Sequence, residues 1–363
     1  MPTQRGLQLV SFAEHPLIES LSGEFKLKDL EYELITGNPS PQIILDKSDK
    51  EFLESRRILV TGAGGSIGSR ICKILSTQTS CELFMLDRDE NALHSLSLSI
   101  QDKALLDQPD YIVADIRDEH RIFSVLSMLR PDVVIHTAAL KHVPTLERDP
   151  REALLTNVIG TLNVLEAAKR ARVLGLVNIS TDKAANPRSV LGKSKKYGED
   201  LIALARQEGF KGFTSVRFGN VFNSKGSVLE TFNKQIERDL PLTITDPLMK
   251  RFFMHIDEAS LLVLKSLVIN GGPLHVLRMG EQIAIIDLVE NLLRFHGKSL
   301  ETRIVGIRGG EKLTEDLTGV DEILTDSSND KIQVIKSKIV NKLPSIPKNL
   351  NSEKEILEFF SAV

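Results

Sequence analysis

Short apolar runs alternate with helix-like spacing of apolar residues through the middle of the chain. Each run predicts a strand buried on both faces, and the runs are 58–60, 83–86, 111–114, 132–136 and 176–180. The intervening helices are predicted over 69–77, 91–99, from Asp118 to Met128, and over 152–172. Parallel strands joined by helices form a doubly wound α/β sheet, which binds ligands beyond the carboxyl ends of its strands.

A glycine-rich turn joins the first predicted strand to the first helix. Gly62 allows a sharp turn, Gly65 lets a pyrophosphate approach the backbone, and Gly68 lets the helix pack close to its strand. Ser66 and Ile67 lie in the turn before the predicted helix, and the helix N-terminus offers unpaired N–H groups and a partial positive charge to phosphates. The predicted ligand is a dinucleotide, and an ordinary turn between strand and helix is the alternative.

The second predicted strand ends in Asp87, an acid that can hydrogen-bond the ribose hydroxyls of an adenosine. Its charge would repel a 2′-phosphate, which predicts NAD rather than NADP. The adjacent Arg88 could accommodate that phosphate, so NADP stays an alternative.

Two further pairs of residues follow strand ends at the same predicted edge. Ile116 offers an apolar face to an adenine ring, and Asp115 offers an acceptor beside it. Ala138 and Ala139 are small enough for the backbone to pass close to a cofactor, although plain helix–strand packing explains them equally well. We therefore include all four in the predicted cofactor site.

The two ends of the chain follow a less regular pattern. Scattered apolar residues predict an N-terminal extension with short helices, either a disordered leader or an arm docked on the same or a neighbouring subunit. A short strand is predicted over 241–245, in a smaller C-terminal substrate-binding lobe. The expected units are an extension at 1–50, a dinucleotide-binding domain at 51–235, a substrate lobe at 236–345 with segments returning to that domain, and a helix at 346–363.

The composition excludes several classes of protein. A net charge of −3 gives no reason to expect binding to nucleic acid or to an anionic membrane. The start of the chain has no apolar signal region and no run is apolar for long enough to span a bilayer, so neither secretion nor a membrane span is expected. Cys72 and Cys81 lack the spacing of metal ligands, which indicates thiols in a reducing cytoplasm and no metal site.

The stretch after the fifth predicted strand carries the candidate chemistry. Thr181, Asp182 and Lys183 stand at the carboxyl end of a central strand, where a nicotinamide would lie. An acid and an amine side by side there can act on different atoms of one substrate. The alternative is a solvated pair on a loop.

Seven segments between residues 57 and 320 resemble the extended short-chain dehydrogenase/reductases, and among them the UDP-N-acetylglucosamine 4,6-dehydratases of bacterial polysaccharide biosynthesis. The segments are TGAGGSIG from Thr61, AALKHVP from Ala138, TNVIGT from Thr156, STDKA from Ser180, RFGNV from Arg217, TDPLMKRFFM from Thr245 and GGEKL from Gly309. The extension before Arg57 resembles the segment that joins the membrane anchor to the catalytic domain in larger members of the family. Because no membrane span is expected in this sequence, we expect a soluble, cytoplasmic form.

The resemblance implies a Rossmann-type fold and an internal redox reaction on a UDP-sugar with bound NAD. Lys183 would be the base at C5 and Asp182 the acid for the departing C6 hydroxyl. Thr181 would hydrogen-bond O4, and Lys195 would hold the nicotinamide ribose.

The same resemblance implies contacts with the substrate and with other copies of the chain. Arginines suit a diphosphate because they bind it bidentately and stay charged. A homo-oligomer is expected. The implied substrate-binding residues are Lys141, Asn220, Arg251, Arg308 and Glu311.

One position departs from the family's usual Tyr-x-x-x-Lys pattern. Leu191 stands four residues before Lys195, and leucine cannot accept a proton. The anchored subgroup often has methionine there, and Tyr197 is expected on another face of the helix. The nearby groups that remain are Asp182, Lys183 and a water ordered by Thr181, and among them we predict that Asp182, directly or through that water, takes the proton of the C4 hydroxyl. For the function as a whole, the alternatives to a dehydratase are a UDP-sugar epimerase and a catalytically silent regulator that binds a nucleotide sugar.

Overall fold

The computed structural model describes residues 31–102, 106, 108–269, 271–336 and 339–363, so the first thirty residues of the extension predicted over 1–50 lie outside the described residues. The strands are β1 Arg57–Thr61, β2 Glu82–Asp87, β3 Tyr111–Val113, β4 Val133–His136, β5 Gly175–Ile179, β6 Phe213–Arg217, β7 Asn220–Val221, β8 Leu242–Ile244, β9 Lys250–Arg251, β10 Phe253–Met254, β11 Leu274–Leu277, β12 Ile283–Ala284, β13 Thr302–Ile304, β14 Thr325–Asp326 and β15 Ile332–Ile335.

The helices alternate with the strands as far as β6. They are α1 Lys47–Leu53, α2 Ser66–Gln78, α3 Glu90–Gln101, α4 Glu119–Leu129, α5 Val143–Arg148, α6 Pro150–Ala153, α7 Thr161–Arg170, α8 Val190–Gln207, α9 Val228–Glu237, α10 Ile256–Lys265, α11 Ile285–Phe295 and α12 Glu353–Ala362. A π-helical turn, Leu154–Gly160, joins α6 to α7, and a 3₁₀ turn, Asp182–Ala184, precedes α8.

The central sheet has nine strands in the order β14-β15-β11-β6-β5-β4-β1-β2-β3. The seven from β11 to β3 run parallel, whereas β15 pairs antiparallel with β11 and β14 antiparallel with β15. Strand order reverses between β1 and β4, and this reversal creates the crevice in which such sheets bind ligands. The predicted doubly wound α/β fold is confirmed.

Apolar residues cover both faces of the sheet. One cluster packs α4, α7 and α8 on one face, and the other packs α2, α3 and α10 on the opposite face. A smaller core around Phe222, Phe232 and Leu288 joins α9, α11 and β8 in a separate lobe. Three two-stranded pairs, β7–β10, β8–β13 and β9–β12, complete that lobe and its junction with the sheet.

Two predicted helices differ in detail from the observed ones. The first begins at Ser66 rather than Ser69, because Gly65 takes the N-cap position. The helix predicted over 152–172 is continuous from Pro150 to Arg170 but contains the π-helical turn. Single π turns widen a helix and often occur at functional sites.

Residues 31–53, which we call the strap, connect the two lobes. Residues 31–36 are helical, and Tyr32 and Ile35 are buried in the core of the smaller lobe. The Tyr32 ring meets those of Phe222 and His255 at centroid distances of 5.1 and 5.0 Å. Leu45 and Leu53 are buried instead in the core of the large sheet domain. One short segment is therefore anchored in both cores.

Candidate active site

A cavity of about 330 Å³ lies beyond the carboxyl ends of β1, β2, β3 and β4. Eight residues that the sequence assigns to the cofactor line it: Gly62, Gly65, Asp87, Arg88, Asp115, Ile116, Ala138 and Ala139. The cavity is also lined by residues that the sequence interpretation did not assign, among them Thr137, Leu140, Thr156 and Lys225. Ser66, Ile67, Gly68 and Lys195, also assigned to the cofactor, do not line this cavity.

Two glycines of the turn, Gly62 and Gly68, leave no room for a larger residue. Gly62 has φ of +69°, and a Cβ there would lie 2.6 Å from the backbone of Ala138. A Cβ on Gly68 would clash with the carbonyl oxygen of Gly62. Gly65 caps α2 without a side-chain hydrogen bond, which leaves the helix N-terminus to a ligand. These features fit the phosphates of a dinucleotide.

Asp87 holds the glycine turn in place. Its Oδ2 accepts a hydrogen bond from the Gly64 amide at 2.9 Å, and its Oδ1 accepts one from the Asp89 amide at 3.1 Å. Asp115 is engaged by Arg117, whose Nη2 lies 2.7 Å from Oδ2. Burial opposes the charge of Asp115, but the hydrogen bonds from Arg117 outweigh it and hold the pKa of this carboxyl below its usual value.

A loop from beyond β7 covers the glycine turn. The Lys225 amide donates to Ser66 Oγ at 2.9 Å, and Lys225 Nζ donates to the Gly64 carbonyl at 3.4 Å. Lys141, predicted to bind substrate, donates instead to the Lys225 carbonyl at 2.5 Å. Burial lowers the pKa of Lys141.

The π-helical turn presents Asn157 to the cavity wall. The Asn157 side chain accepts from the Leu140 amide at 2.9 Å and donates to the Leu140 carbonyl at 3.0 Å. It also donates to Ser194 Oγ on α8 at 3.0 Å. This buried amide therefore fixes the segment after β4 against α8.

Thr181, Asp182 and Lys183, which follow Ser180 beyond the end of β5, form a compact polar group. Thr181 Oγ1 donates to Asp182 Oδ1 at 2.8 Å, and Lys183 Nζ donates to the same oxygen at 3.0 Å. The Asp182 side chain is completely buried. The 3₁₀ turn, with Thr181 at its N-cap, directs these side chains to one place at the end of a central strand.

Two further charged residues join this group from a distant loop, and the sequence interpretation did not assign either. Glu315 Oε1 lies 3.7 Å from Lys183 Nζ, and Glu315 Oε2 lies 3.7 Å from Lys312 Nζ. Burial, together with the charge of Asp182, raises the pKa of Glu315 against the opposing influence of the nearby cations. Their position in the sequence could have identified them, because Lys312 lies in the GGEKL segment and Glu315 lies two residues after it.

Four buried polar atoms in this cluster make no hydrogen bond within the described part of the chain. They are Asp182 Oδ2, Glu315 Oε2, Lys312 Nζ and Gln282 Oε1. Buried polar atoms are normally paired, and an unpaired group at a crevice indicates a missing polar ligand or water.

Lys195 is buried on α8. Burial lowers its pKa to about 8, against the opposing influence of Glu199. His136 sits between Thr61 Oγ1 at 2.7 Å and Thr161 Oγ1 at 3.0 Å, and burial together with Lys195 lowers its pKa to about 3. His136 is therefore neutral at physiological pH.

The two residues considered for the tyrosine role offer no proton acceptor to the crevice. Leu191 is buried, with an apolar side chain. The Tyr197 hydroxyl donates to the Pro344 carbonyl at 3.1 Å, and its ring packs on Phe359.

The remaining predicted substrate residues make the following contacts within the chain. Arg251 is buried, and its guanidinium donates to the carbonyls of Lys250, Lys312 and Leu313 at 2.7 to 3.0 Å. Arg308 is exposed and pairs with Glu311 at 2.8 Å. Asn220 begins β7, beside β10. In this structure Arg251 thus holds the loop that carries Glu315.

Arg217 at the end of β6 anchors the segment that follows. Its guanidinium reaches Glu199 at 2.6 Å and Glu322 at 2.6 Å, with all three side chains largely buried. It also donates to the Leu317 carbonyl at 2.9 Å. Residues 317–322 are therefore tied to the central sheet.

Sequence comparisons place these features in context. The family profile described as "Polysaccharide biosynthesis protein" matches residues 58–337. The chain is 40% identical over 334 residues to the capsular polysaccharide biosynthesis protein CapD of Staphylococcus aureus, covering 89% of this chain and 55% of CapD. It therefore spans about half the length of that relative. It is 32% identical over 275 residues to a UDP-N-acetylglucosamine 4,6-dehydratase (inverting) of Campylobacter jejuni, covering 74% of this chain and 78% of that enzyme.

Solved structures agree with the sheet topology. Pen from Bacillus thuringiensis matches with a TM-score of 0.71 and 32% identity, over 80% of this chain and 89% of Pen. UDP-glucuronic acid 4-epimerase from Bacillus cereus, solved with UDP-glucuronic acid and NAD, matches with a TM-score of 0.61 and 26% identity, over 73% of this chain and 90% of the epimerase. Among the described residues of the present chain, no helix has the length and apolarity needed to span a membrane.

Proposed function

Since the chain belongs to the polysaccharide biosynthesis protein family of extended short-chain dehydrogenase/reductases, we propose that it is a nucleotide-sugar 4,6-dehydratase. The proposed substrate is UDP-N-acetylglucosamine or a close UDP-sugar. The observation that carries the proposal is the buried Asp182–Lys183 pair at the end of β5, 3.0 Å apart. An epimerase needs C4 oxidation alone, whereas elimination also needs a base and an acid, and this pair adds such groups.

The glycine cradle supports NAD as the resident cofactor. NAD supplies the hydride acceptor at C4 and returns the hydride to C6 when it is bound. The α2 N-terminus would hold the pyrophosphate, and Ile116 and Asp115 would line the adenine side. Lys195, buried and positively charged, would face the nicotinamide ribose.

Asp87 supports a preference for NAD over NADP, because a carboxylate repels a 2′-phosphate. Its two hydrogen bonds to backbone amides fix the carboxylate at the end of β2. Extraction of the bound dinucleotide from purified protein, followed by mass analysis, tests this preference. Recovery of NADP alone would contradict it.

The protein's own groups would move the protons. Asp182, a carboxylate already fixed by Thr181, would accept the proton of the C4 hydroxyl, since Leu191 cannot. The ketone formed at C4 acidifies the C5 hydrogen. The neutral amine of Lys183 would take that proton, and Asp182 would donate the proton gained from O4 to the C6 hydroxyl, which leaves as water. Lys183 would finally return its proton to C5.

The direct test mixes the purified protein, supplemented with NAD, with UDP-N-acetylglucosamine and follows the sugar by mass spectrometry. A product lighter by one water is expected. An isomer of unchanged mass would favour an epimerase, a possibility that the similarity to UDP-glucuronic acid 4-epimerase keeps open. An unchanged sugar, in the presence of tight binding, would favour a regulator.

A further inference from the structure

A chain of buried polar side chains links the end of β5 to a distant loop. The Ser180 hydroxyl donates to Glu199 Oε1 at 2.6 Å, and Arg217 donates to both oxygens of Glu199, at 2.9 and 2.6 Å. The same guanidinium donates to both oxygens of Glu322, at 2.6 and 3.0 Å. Because Ser180 directly precedes Thr181, this chain of contacts reaches from the catalytic residues to Glu322.

The two carboxylates bound to Arg217 are not equivalent. Arg217 and Glu199 are completely buried, and their two hydrogen bonds already make a neutral pair. The Glu322 side chain is 12% exposed and adds a second negative charge that Arg217 does not need for neutrality. Burying an ion costs solvation free energy, and some proteins retain such ions because they fix one conformation. What Glu322 adds is the attachment of its own loop to the sheet.

Residues 315–322, which we call the belt, lie along the turn that carries the catalytic residues. Glu315 Oε1 at the start of the belt lies 3.7 Å from Lys183 Nζ. Asn186 Nδ2, just after the 3₁₀ turn, donates to Asp316 Oδ2 at 3.0 Å. The belt therefore contacts the catalytic turn at successive positions.

The Glu322 carboxylate also shapes the middle of the belt. The Gly319 amide donates to Glu322 Oε2 at 2.7 Å, and Arg217 Nη1 donates to the Leu317 carbonyl at 2.9 Å. Gly319 packs so closely on the catalytic turn that a Cβ there would lie 2.7 Å from the Ala185 carbonyl oxygen. The position of the belt against the turn thus depends on Glu322.

We propose that Glu322 is a positioning residue for the dehydratase reaction: bound to Arg217, it holds the belt against the turn that carries Asp182 and Lys183. This inference rests on the proposed function and concerns a residue that does not line the cofactor cavity. Misplacement of a reacting group by about 1 Å can cost about 10²-fold in rate, so the exact placement of this turn controls catalysis.

The rest of the loop is held independently of Glu322. Arg251 donates to the carbonyls of Lys312 and Leu313 at 2.8 and 3.0 Å. Gln282 Nε2 donates to the Glu315 carbonyl at 2.8 Å. Loss of Glu322 should therefore loosen the belt next to the catalytic turn while the segment before Glu315 stays in place.

The kinetic test compares two neighbouring acidic positions. Glu322→Ala leaves Arg217 paired with Glu199, so the fold should survive, and Asp321→Ala removes an exposed carboxylate as the matched control. We expect Glu322→Ala to lower kcat for UDP-N-acetylglucosamine by about 10- to 100-fold and to change its KM and the Kd of NAD by less than about threefold. Glu322→Gln keeps one acceptor oxygen and should recover part of the loss. Asp321→Ala should match wild type.

A second measurement needs no turnover. The amides of Asp182, Ala184 and Ala185 donate to backbone carbonyls at 3.0, 3.0 and 3.1 Å, so their hydrogen exchange reports opening of the catalytic turn. In Glu322→Ala these amides should exchange about tenfold faster, the size expected from losing one charge-assisted hydrogen bond. The amides of β1 and β4 should exchange as in wild type, and Asp321→Ala should show no change.

The outcomes separate this inference from the proposed function. If wild type dehydrates the sugar and Glu322→Ala has a normal kcat, the positioning role is overturned and the proposed function stands. A loss of kcat accompanied by weaker NAD binding also overturns the role, because it indicates general damage to the fold. If wild type leaves UDP-N-acetylglucosamine intact, the proposed function is overturned. Hydrogen exchange then decides the attachment, and unchanged exchange at the catalytic turn of Glu322→Ala overturns it.

Discussion

The glycine-turn end and the Asp182–Glu315 end of the crevice differ in how their polar groups are satisfied. At the glycine turn, Asp87 accepts from two backbone amides and Ser66 Oγ accepts from the Lys225 amide. In the charged cluster, Asp182 and Glu315 each keep a buried oxygen without a hydrogen bond in the described chain. The side chains that shape the glycine turn are paired within the protein, whereas each carboxyl of the charged cluster keeps one oxygen for what binds there.

This difference separates rigidity from reactivity. Fully paired groups hold one geometry, which suits the fixed shape of a dinucleotide. Unpaired buried groups are costly to the fold, and active sites are where proteins retain such costs. We therefore expect changes in the charged cluster to remove chemistry while sparing cofactor binding, and changes in the glycine turn to disturb the fold and the cofactor together.

The largest effect is expected from Asp182→Asn. Without a base at O4, even the first half-reaction should fall by about 10⁴-fold, the upper range for a positioned base. Reduced nicotinamide, followed by absorbance on mixing with UDP-N-acetylglucosamine, measures that step, and calorimetry should show unchanged NAD affinity. Normal formation of reduced nicotinamide would place the base elsewhere.

Lys183→Ala should be selective for the second half-reaction. C4 oxidation persists in part, but no group remains to take the C5 proton, so product formation should drop by about 10²- to 10³-fold. Reduced nicotinamide should therefore accumulate without dehydrated sugar. A normal yield of product would remove Lys183 from the role of base.

Gly68→Ala tests the other end of the comparison. The added methyl meets the Gly62 carbonyl, and overpacking of this kind costs about 1 to 3 kcal/mol of unfolding free energy. Gly65→Ala is the matched control, because its methyl would meet only the Gly62 carbonyl oxygen, at 3.1 Å. The temperature of thermal unfolding should fall for Gly68→Ala and change little for Gly65→Ala. Gly65→Ala should instead weaken NAD binding. Equal stability of the two variants would contradict this assignment.

The smallest effect on activity is expected from Leu191→Tyr. If Asp182 already accepts the O4 proton, a restored tyrosine has no task, so the rate of reduced-nicotinamide formation should not rise above wild type. The same substitution in the Asp182→Asn background sharpens the test. A partial recovery there, absent in the wild-type background, would show that the tyrosine position can reach O4.

The cavity-lining part of the candidate site between Gly62 and Ala139 could be predicted from the sequence. Residues from Gly62 to Ala139 reach the cavity because each follows a strand end, and strand ends of a parallel sheet meet at one edge. Glu315 follows no such rule, since it arrives on an irregular loop more than a hundred residues beyond Asp182. Its proximity to Lys183 depends on loop contacts such as those of Arg251 and Gln282.

Side-chain direction was the second limit of sequence reasoning. Arg251, predicted to bind a diphosphate, donates to three backbone carbonyls in this structure, and the sequence pattern does not specify such contacts. The π-helical turn is invisible in the apolar pattern, because one extra residue in a long helix leaves most of the spacing unchanged. The antiparallel edge strands β14 and β15 were also not foreseen, because they are short and flanked by irregular segments.

The strap has a consequence for how the protein unfolds. Tyr32 and Ile35 are buried in one core and Leu45 and Leu53 in the other, while Lys265 on α10 pairs with Asp46 at 2.7 Å. When either lobe unfolds, the strap loses its packing partners in that lobe, and the other lobe depends on the same strap. We therefore expect denaturation to be a single cooperative transition rather than two, and a cut in the chain between residues 37 and 44 to divide it into separate steps.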